Sequence, residues 1–184
     1  TTIESGSFAA FDPSGGFYIW HACEDERFTY LEFVGLDGVS RLDPLDQPET
    51  CVSSGAAVMV ESNRMLVMSG FDRDGHINGT IEFVSSGGVW QRRDLTQSGS
   101  SGAVAWPSMA VGASGVMAFS GVTQEGRGLR RMLRFDENGP AWSVVSVVAG
   151  PSPRAGGVAF TCDSTASAYF LGGWGSEPGG PQPV

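Results

Sequence analysis

A pattern of about 50 residues recurs along this chain, and a repeat of that period limits the fold more than any other feature. Each copy has an apolar run closed by a pair of mostly small residues: His21-Ala22, Ser69-Gly70, Ser120-Gly121 and Gly172-Gly173. The pairs lie 48, 51 and 52 residues apart. The downstream segments align without a gap: LEFVGLDGVSRLDPL from Leu31, IEFVSSGGVWQRRDL from Ile81 and LRFDENGPAWSVVSV from Leu133. Phe33, Phe83 and Phe135 coincide, as do Trp90 and Trp142, with Ser40 at the Trp place of the first copy.

Each copy reads as four short strands. The second copy predicts strands over 55–60, 65–70, 80–84 and 89–94, and the third over 108–111, 115–121, 130–135 and 141–147. The breaks hold Gly, Ser, Asn and Asp, which supply positive φ or bond their own backbone in turns. Gly makes up 27 of 184 residues, about double the roughly 7% norm, as many tight turns require. The first strand of each copy is small and apolar: Phe8-Ala9-Ala10-Phe11, Ala56-Ala57-Val58, Met109-Ala110-Val111, Gly157-Val158-Ala159. Small side chains suit strands crowded near an axis. The second strand is the most apolar, as expected of one buried on both faces.

The net charge of -9 argues against nucleic acid as a partner, because phosphate binding needs a basic surface. No run approaches the roughly 18 apolar residues of a membrane-spanning helix. No basic and apolar leader opens the chain, so a secretion signal is expected to be absent or removed.

Four-stranded units that cannot bury their own faces stack radially, as the blades of a β-propeller. The expected fold is therefore all-β, with antiparallel four-stranded blades over about 6–47, 48–98, 99–149 and 150–184. The last is incomplete, and the segment is expected to belong to a longer or split propeller, with a complete four-bladed ring as the alternative. The chain resembles the kelch-repeat propellers. The likeness rests on the small pair closing strand two, an aromatic-containing strand after it, and Trp90 and Trp142 about twenty residues on. The segment PSPRAGGVAFTCDSTASAYFLGGW carries it best, with Arg154 before a small pair and Tyr169 just ahead of Gly172-Gly173.

The resemblance implies that the loops between strands two and three share one face with the blade-joining loops, and that this face binds partners. Candidate binding residues there are Asp25, Arg27, Asp72, Arg73, Asp74, His76, Glu125, Arg127 and Trp174. Asp72-Arg73-Asp74-Gly75 hints at calcium, but the EF-hand pattern would need Asp at Gly70 and Glu at Ile81, so a solvated turn is expected. His21, on a kelch glycine position, is expected to be packed or hydrogen-bonded, and His76 to be an exposed loop residue. Alternation turns Leu133 and Phe135 inward and Arg134 outward, with Glu32 and Glu82 on the matching outward positions. Arg127, Arg130, Arg131 and Arg134 then form either a salt-bridged surface or a contact for an acidic partner.

The chain has three cysteines. In the blade scheme Cys23 and Cys51 fall on one face of adjacent blades and are the expected disulfide, while Cys162 lies too far away to join them. Asn78-Gly79-Thr80 is an N-glycosylation sequon. Together these point to an oxidising compartment, secreted or at the cell surface. Trp90 and Trp142 are expected core anchors between blades.

The functional expectation is a non-catalytic platform for a protein partner or for remaining blades, with no cofactor and no metal. A sugar-binding lectin is the alternative, and would use aromatic residues on the loop face, Trp174 and Phe71. A copper-radical oxidase of the galactose-oxidase kind would need two Tyr, two His and a cross-linking Cys to converge. Tyr18, Tyr30 and Tyr169 with His21 and His76 form no such cluster in the repeat scheme.

Overall fold

The structure is a computed structural model, and it describes residues 7–13, 15–21, 31–41, 53–68, 70–72, 74–77, 79–87, 89–95, 104–145, 154–162, 167–177 and 180–183. Every regular element among them is a β-strand. The first sheet is β1 (Phe8–Asp12), β2 (Gly16–Trp20), β3 (Leu31–Gly35) and β4 (Gly38–Arg41). The second is β5 (Ala56–Glu61), β6 (Arg64–Met68), β7 (Thr80–Ser86) and β8 (Val89–Asp94). The third is β9 (Ser108–Gly112), β10 (Gly115–Phe119), β11 (Met132–Asp136) and β12 (Ala141–Val145). All three are antiparallel meanders with strands in chain order. The strands expected in the second and third copies are all present, with ends within about two residues.

After these come β13 (Arg154–Ala155), β14 (Val158–Cys162), β15 (Ser167–Leu171), β16 (Trp174–Glu177) and β17 (Gly180–Pro183). Strands β14 and β15 form a hairpin, and β13, β16 and β17 a separate three-stranded ladder. The expected last blade, 150–184, is incomplete, with no strand expected beyond its second. Instead, Trp174 pairs with Ala155 on one side and Pro183 on the other.

Consecutive sheets share cores. Met65 and Val67 pack with Ala10, Trp20 and Phe83 between the first and second sheets. Leu66 and Met68 pack with Val116, Leu133 and Trp142 between the second and third. Strand β6 is thus buried on both faces, from Met65 through Met68, which explains its apolar run. The first strands of the sheets lie beside one another: β1 by β5, β5 by β9, β9 by β14. Small residues permit that approach. A Cβ at Gly55 would stand 2.8 Å from the Phe8 ring.

The two repeated tryptophans each reach back one sheet. The Trp142 indole N–H donates to the Thr80 hydroxyl at 2.6 Å. Trp90 meets Tyr18 edge-on, with centroids 5.3 Å apart.

Leu133 and Phe135 are buried and Arg134 is exposed, as alternation requires. The matching Glu32 and Glu82 are not outward. Both are buried. Glu82 accepts from the Arg64 Nε at 2.7 Å, and Arg64 also donates to Glu137, in the turn between β11 and β12, at 2.9 Å. Burial alone would lower the Arg64 pKa, but the hydrogen bonds it donates to Glu137 and Glu82, with the charges of those carboxylates, outweigh it and hold the guanidinium above its ordinary value. Glu32 lies 3.1 Å from the Nε2 of His21, which is itself buried. His21 is therefore the packed, hydrogen-bonded residue expected.

The small pairs closing the second strands have a backbone reason. Gly172 and Gly173 both have positive φ (70° and 93°), as do Ser120 and Gly121 (64° and 102°). The second position also lacks room: a Cβ on Gly70 would sit 2.1 Å from the Ser53 carbonyl oxygen. Serine at the first position costs roughly 1–2 kcal/mol relative to glycine.

Candidate functional site

At one end of the second and third sheets, and again ahead of β14, the segment before the first strand meets the loop after the second strand. Ser53 bridges Phe71, which bridges Ile77; Ala105 bridges Val122, which bridges Gly128. The pairs Ala155 with Trp174 and Trp174 with Pro183 repeat that pattern. Phe71, Val122 and Trp174 therefore occupy one equivalent position, spaced 51 and 52 residues apart.

The joining segments are linked to one another. The Trp106 N–H donates to the Ser54 carbonyl at 2.5 Å, and the Gly156 N–H to the Trp106 carbonyl at 2.9 Å. Ser54, Trp106 and Gly156 all have positive φ (60°, 49° and 68°). A large aromatic residue in the left-handed region is uncommon, and the flanking hydrogen bonds hold it there. Buried Ile77, Ala105, Val122 and Ala155 form a small core beneath, with Phe71 and Trp106 packed against it.

An aromatic row crosses this end. The Trp106 ring lies 5.5 Å from Phe71 and 6.2 Å from Trp174. Phe71 and Trp106 are half-buried, whereas Trp174 is 54% exposed. The expected site residue Trp174 is thus the outermost member of a three-residue row. Trp106 escaped the sequence reading. Its available signal was position, a Trp-Pro pair just ahead of a first strand.

Two matching turns flank the row. In one, Asp72 Oδ1 accepts from the backbone N–H groups of Asp74 (2.9 Å) and His76 (2.8 Å), and the Asp72 N–H donates to the His76 carbonyl. In the other, the Thr123 N–H donates to the Arg127 carbonyl and the Thr123 hydroxyl to Glu125 Oε2 at 2.7 Å. The Asp72 carboxylate is thereby engaged in shaping its own loop. No group of three His, Cys, Asp or Glu that could hold a metal occurs among the described residues. The Glu125 carboxyl is held below its usual range, chiefly by the Thr123 hydroxyl and then by its own backbone N–H, with help from Arg127.

Gln124 ties the turns together. Its Oε1 accepts from the Ile77 N–H at 2.7 Å, and its Nε2 donates to the Gly75 carbonyl at 2.6 Å. The structure thus brings Asp72, Asp74, His76, Glu125, Arg127 and Trp174 to one end of the sheets. Asp25, Arg27, Arg73, Cys23, Cys51 and Asn78 lie outside the described residues, as does Tyr30. Neither the Cys23–Cys51 pairing nor the sequon's acceptor is therefore described. Cys162 ends β14 and is exposed. A cavity of about 50 Å³ lies behind the third small pair, lined in part by Ser108, Ser120, Phe119 and Phe170. Its size suits a solvent molecule rather than a substrate.

No protein-family model and no curated protein matches the sequence. Among 102 chains of solved structure that do match is YjhT, with a TM-score of 0.64 at 14% identity. The match covers 92% of this chain and 59% of YjhT, so this chain spans well under two thirds of that protein's length. At that identity the likeness shows an all-β fold held in common and nothing of activity.

Proposed function

We propose that the chain is a kelch-like β-propeller segment serving as a rigid, non-catalytic platform for a protein partner. The neighbouring first strands and the recurring left-handed small pairs support the radial arrangement. The observation that carries the functional reading is the aromatic row, with exposed Trp174 beside Trp106 in a hydrogen-bonded frame. Tryptophan and arginine are the residue types on which protein interfaces concentrate their binding energy. A preformed platform also spares a partner the entropy of ordering it. Arg127, His76, Asp74 and Glu125 would supply the polar rim.

Peptides selected from a displayed random library on the wild-type chain test this. Selected peptides should lose at least about 2 kcal/mol of affinity for Trp174→Ala, and keep it for Val89→Ala, an exposed residue elsewhere. The Trp106–Trp174 adjacency also favours a second reading, stacking of a sugar face. Glycan-array hits that depend on Trp174, with no peptide selected, would replace the first reading with the second.

A further inference from the structure

The seam between the second and third sheets holds two arginines in opposite electrostatic states. Arg64, at the start of β6, donates to Glu82 of the second sheet and to Glu137 in the β11–β12 turn. Arg131 stands towards the other end. Its carbonyl accepts from the Ser120 N–H at 3.0 Å, which continues the β10–β11 ladder one step beyond the pair Phe119 and Met132. Alternation sets Arg131 on the side of Leu129, Leu133 and Phe135, all packed in or against the core between these two sheets. Both sheets that form the seam have all four strands.

The Arg131 guanidinium has no counter-ion among the described residues. Its Nε is buried without a hydrogen-bond partner, and burial lowers its pKa with no neighbouring carboxylate to offset that. The arginines of the second sheet are all compensated: Arg64 by Glu82 and Glu137, Arg92 by Asp94 and Arg93 by Glu82. Acidic residues outnumber arginines 20 to 11 in the chain, so Arg131 lacks a partner through placement and not for want of carboxylates. A half-buried cation left in this state destabilises the fold. Residues that burden stability in this way are characteristic of binding sites.

We propose that Arg131 is the receptor for a carboxylate that enters this seam from outside the chain. The planar guanidinium takes a carboxylate side-on, through Nε and one terminal nitrogen together. Its single positive charge neutralises a monoanion. A phosphate dianion would carry surplus negative charge into a half-buried seam of a chain whose net charge is already -9. The carboxylate comes either from a free small acid or from an acidic side chain of a docking protein. The proposal goes beyond the platform reading, and it stands whether or not a partner engages Trp174.

Nuclear magnetic resonance of the arginine Nε–H groups at near-neutral pH tests it. Acetate serves as the free carboxylate, and a blocked glycine-rich peptide bearing one glutamate as the side-chain form, each against chloride at equal ionic strength. The Arg131 resonance, identified by its loss in Arg131→Met, should shift saturably with a carboxylate. Half-saturation should come at a concentration at least about tenfold lower than for the exposed Arg134, because the Arg131 charge lies in a less polar setting. Acetate binding as tightly as the peptide, or more so, identifies a free acid as the ligand. Tighter binding of the peptide identifies the side chain of a docking protein. Arg131→Met keeps the aliphatic stem and removes the uncompensated charge, so it should melt no lower than the wild type. An Arg131 response no stronger than that of Arg134 would overturn the proposal. So would inorganic phosphate that binds more tightly than acetate. Melting of Arg131→Met about 3 °C or more below the wild type would also overturn it, by making the guanidinium a structural group.

Discussion

The Trp142 indole nitrogen donates to the Thr80 hydroxyl at 2.6 Å, linking the outer strand of the third sheet to the second. Both residues are buried, at 8% and 1% exposure. Thr80→Val keeps the shape but strands the indole N–H, and should cost about 1–3 kcal/mol in urea unfolding. Thr80→Val combined with Trp142→Phe should cost less than the sum of the two single changes, because the donor is then gone as well.

Gly70 and Gly75 both have positive φ, but only Gly70 is crowded. Gly75→Ala meets nothing within 4 Å and should cost roughly 1–2 kcal/mol, the backbone penalty alone. Gly70→Ala drives a methyl into the Ser53 carbonyl and should cost about 2–5 kcal/mol, from overpacking and the same penalty together. Equal melting temperatures for the two variants would show that the joining segment does not lie against the small pair.

Gln124 is the clamp between neighbouring loops. Gln124→Ala removes the acceptor from the Ile77 N–H and the donor to the Gly75 carbonyl. Amide hydrogen exchange at Ile77 should quicken by about tenfold, matching roughly 1–1.5 kcal/mol for the lost hydrogen bond. Exchange in β10 should be unchanged. Unchanged exchange at Ile77 would place the two turns apart.

Tyr18 should titrate above the ordinary tyrosine value of 10.0. Partial burial is the main cause, followed by the charge of Asp12 and its hydrogen bond, and all three favour the neutral phenol. Below pH 10 the phenol is protonated in folded and unfolded chains alike, and this contribution to stability is fully present. It is lost as pH rises from there through the raised folded value. Tyrosinate absorbance of the wild type minus that of Tyr18→Phe measures the shift. A difference curve with its midpoint at or below 10 would contradict it.

The strand plan was legible because it is written twice over, in period-two alternation and in a 50-residue register that aligns Phe83 with Phe135 and Trp90 with Trp142. The doubly buried β6 was legible from Met65-Leu66-Val67-Met68 alone. The inward carboxylates were not. Glu82 alternates like the exposed Arg134, and it is the arrival of Arg64 from one adjacent strand, at 2.7 Å, and of Arg93 from the other, at 3.7 Å, that makes its burial tolerable. At the candidate site, the turns at Asp72 and Thr123 announced themselves through Asp-x-x-Gly and Thr-x-x-Gly. The aromatic row did not. Phe71, Trp106 and Trp174 are far apart in sequence, and they meet only because three joining segments lie side by side.

Consecutive sheets stack face to face around shared cores. Trp20 of the first sheet and Phe83 of the second test this most directly, with ring centroids 4.8 Å apart and exposures of 1% and 0%. A double-mutant cycle of Trp20→Leu and Phe83→Leu, read by urea unfolding, should give a coupling energy of about 0.5–1.5 kcal/mol. Costs that add to within about 0.3 kcal/mol would mean that the two rings do not touch, and that the first and second sheets do not share a core.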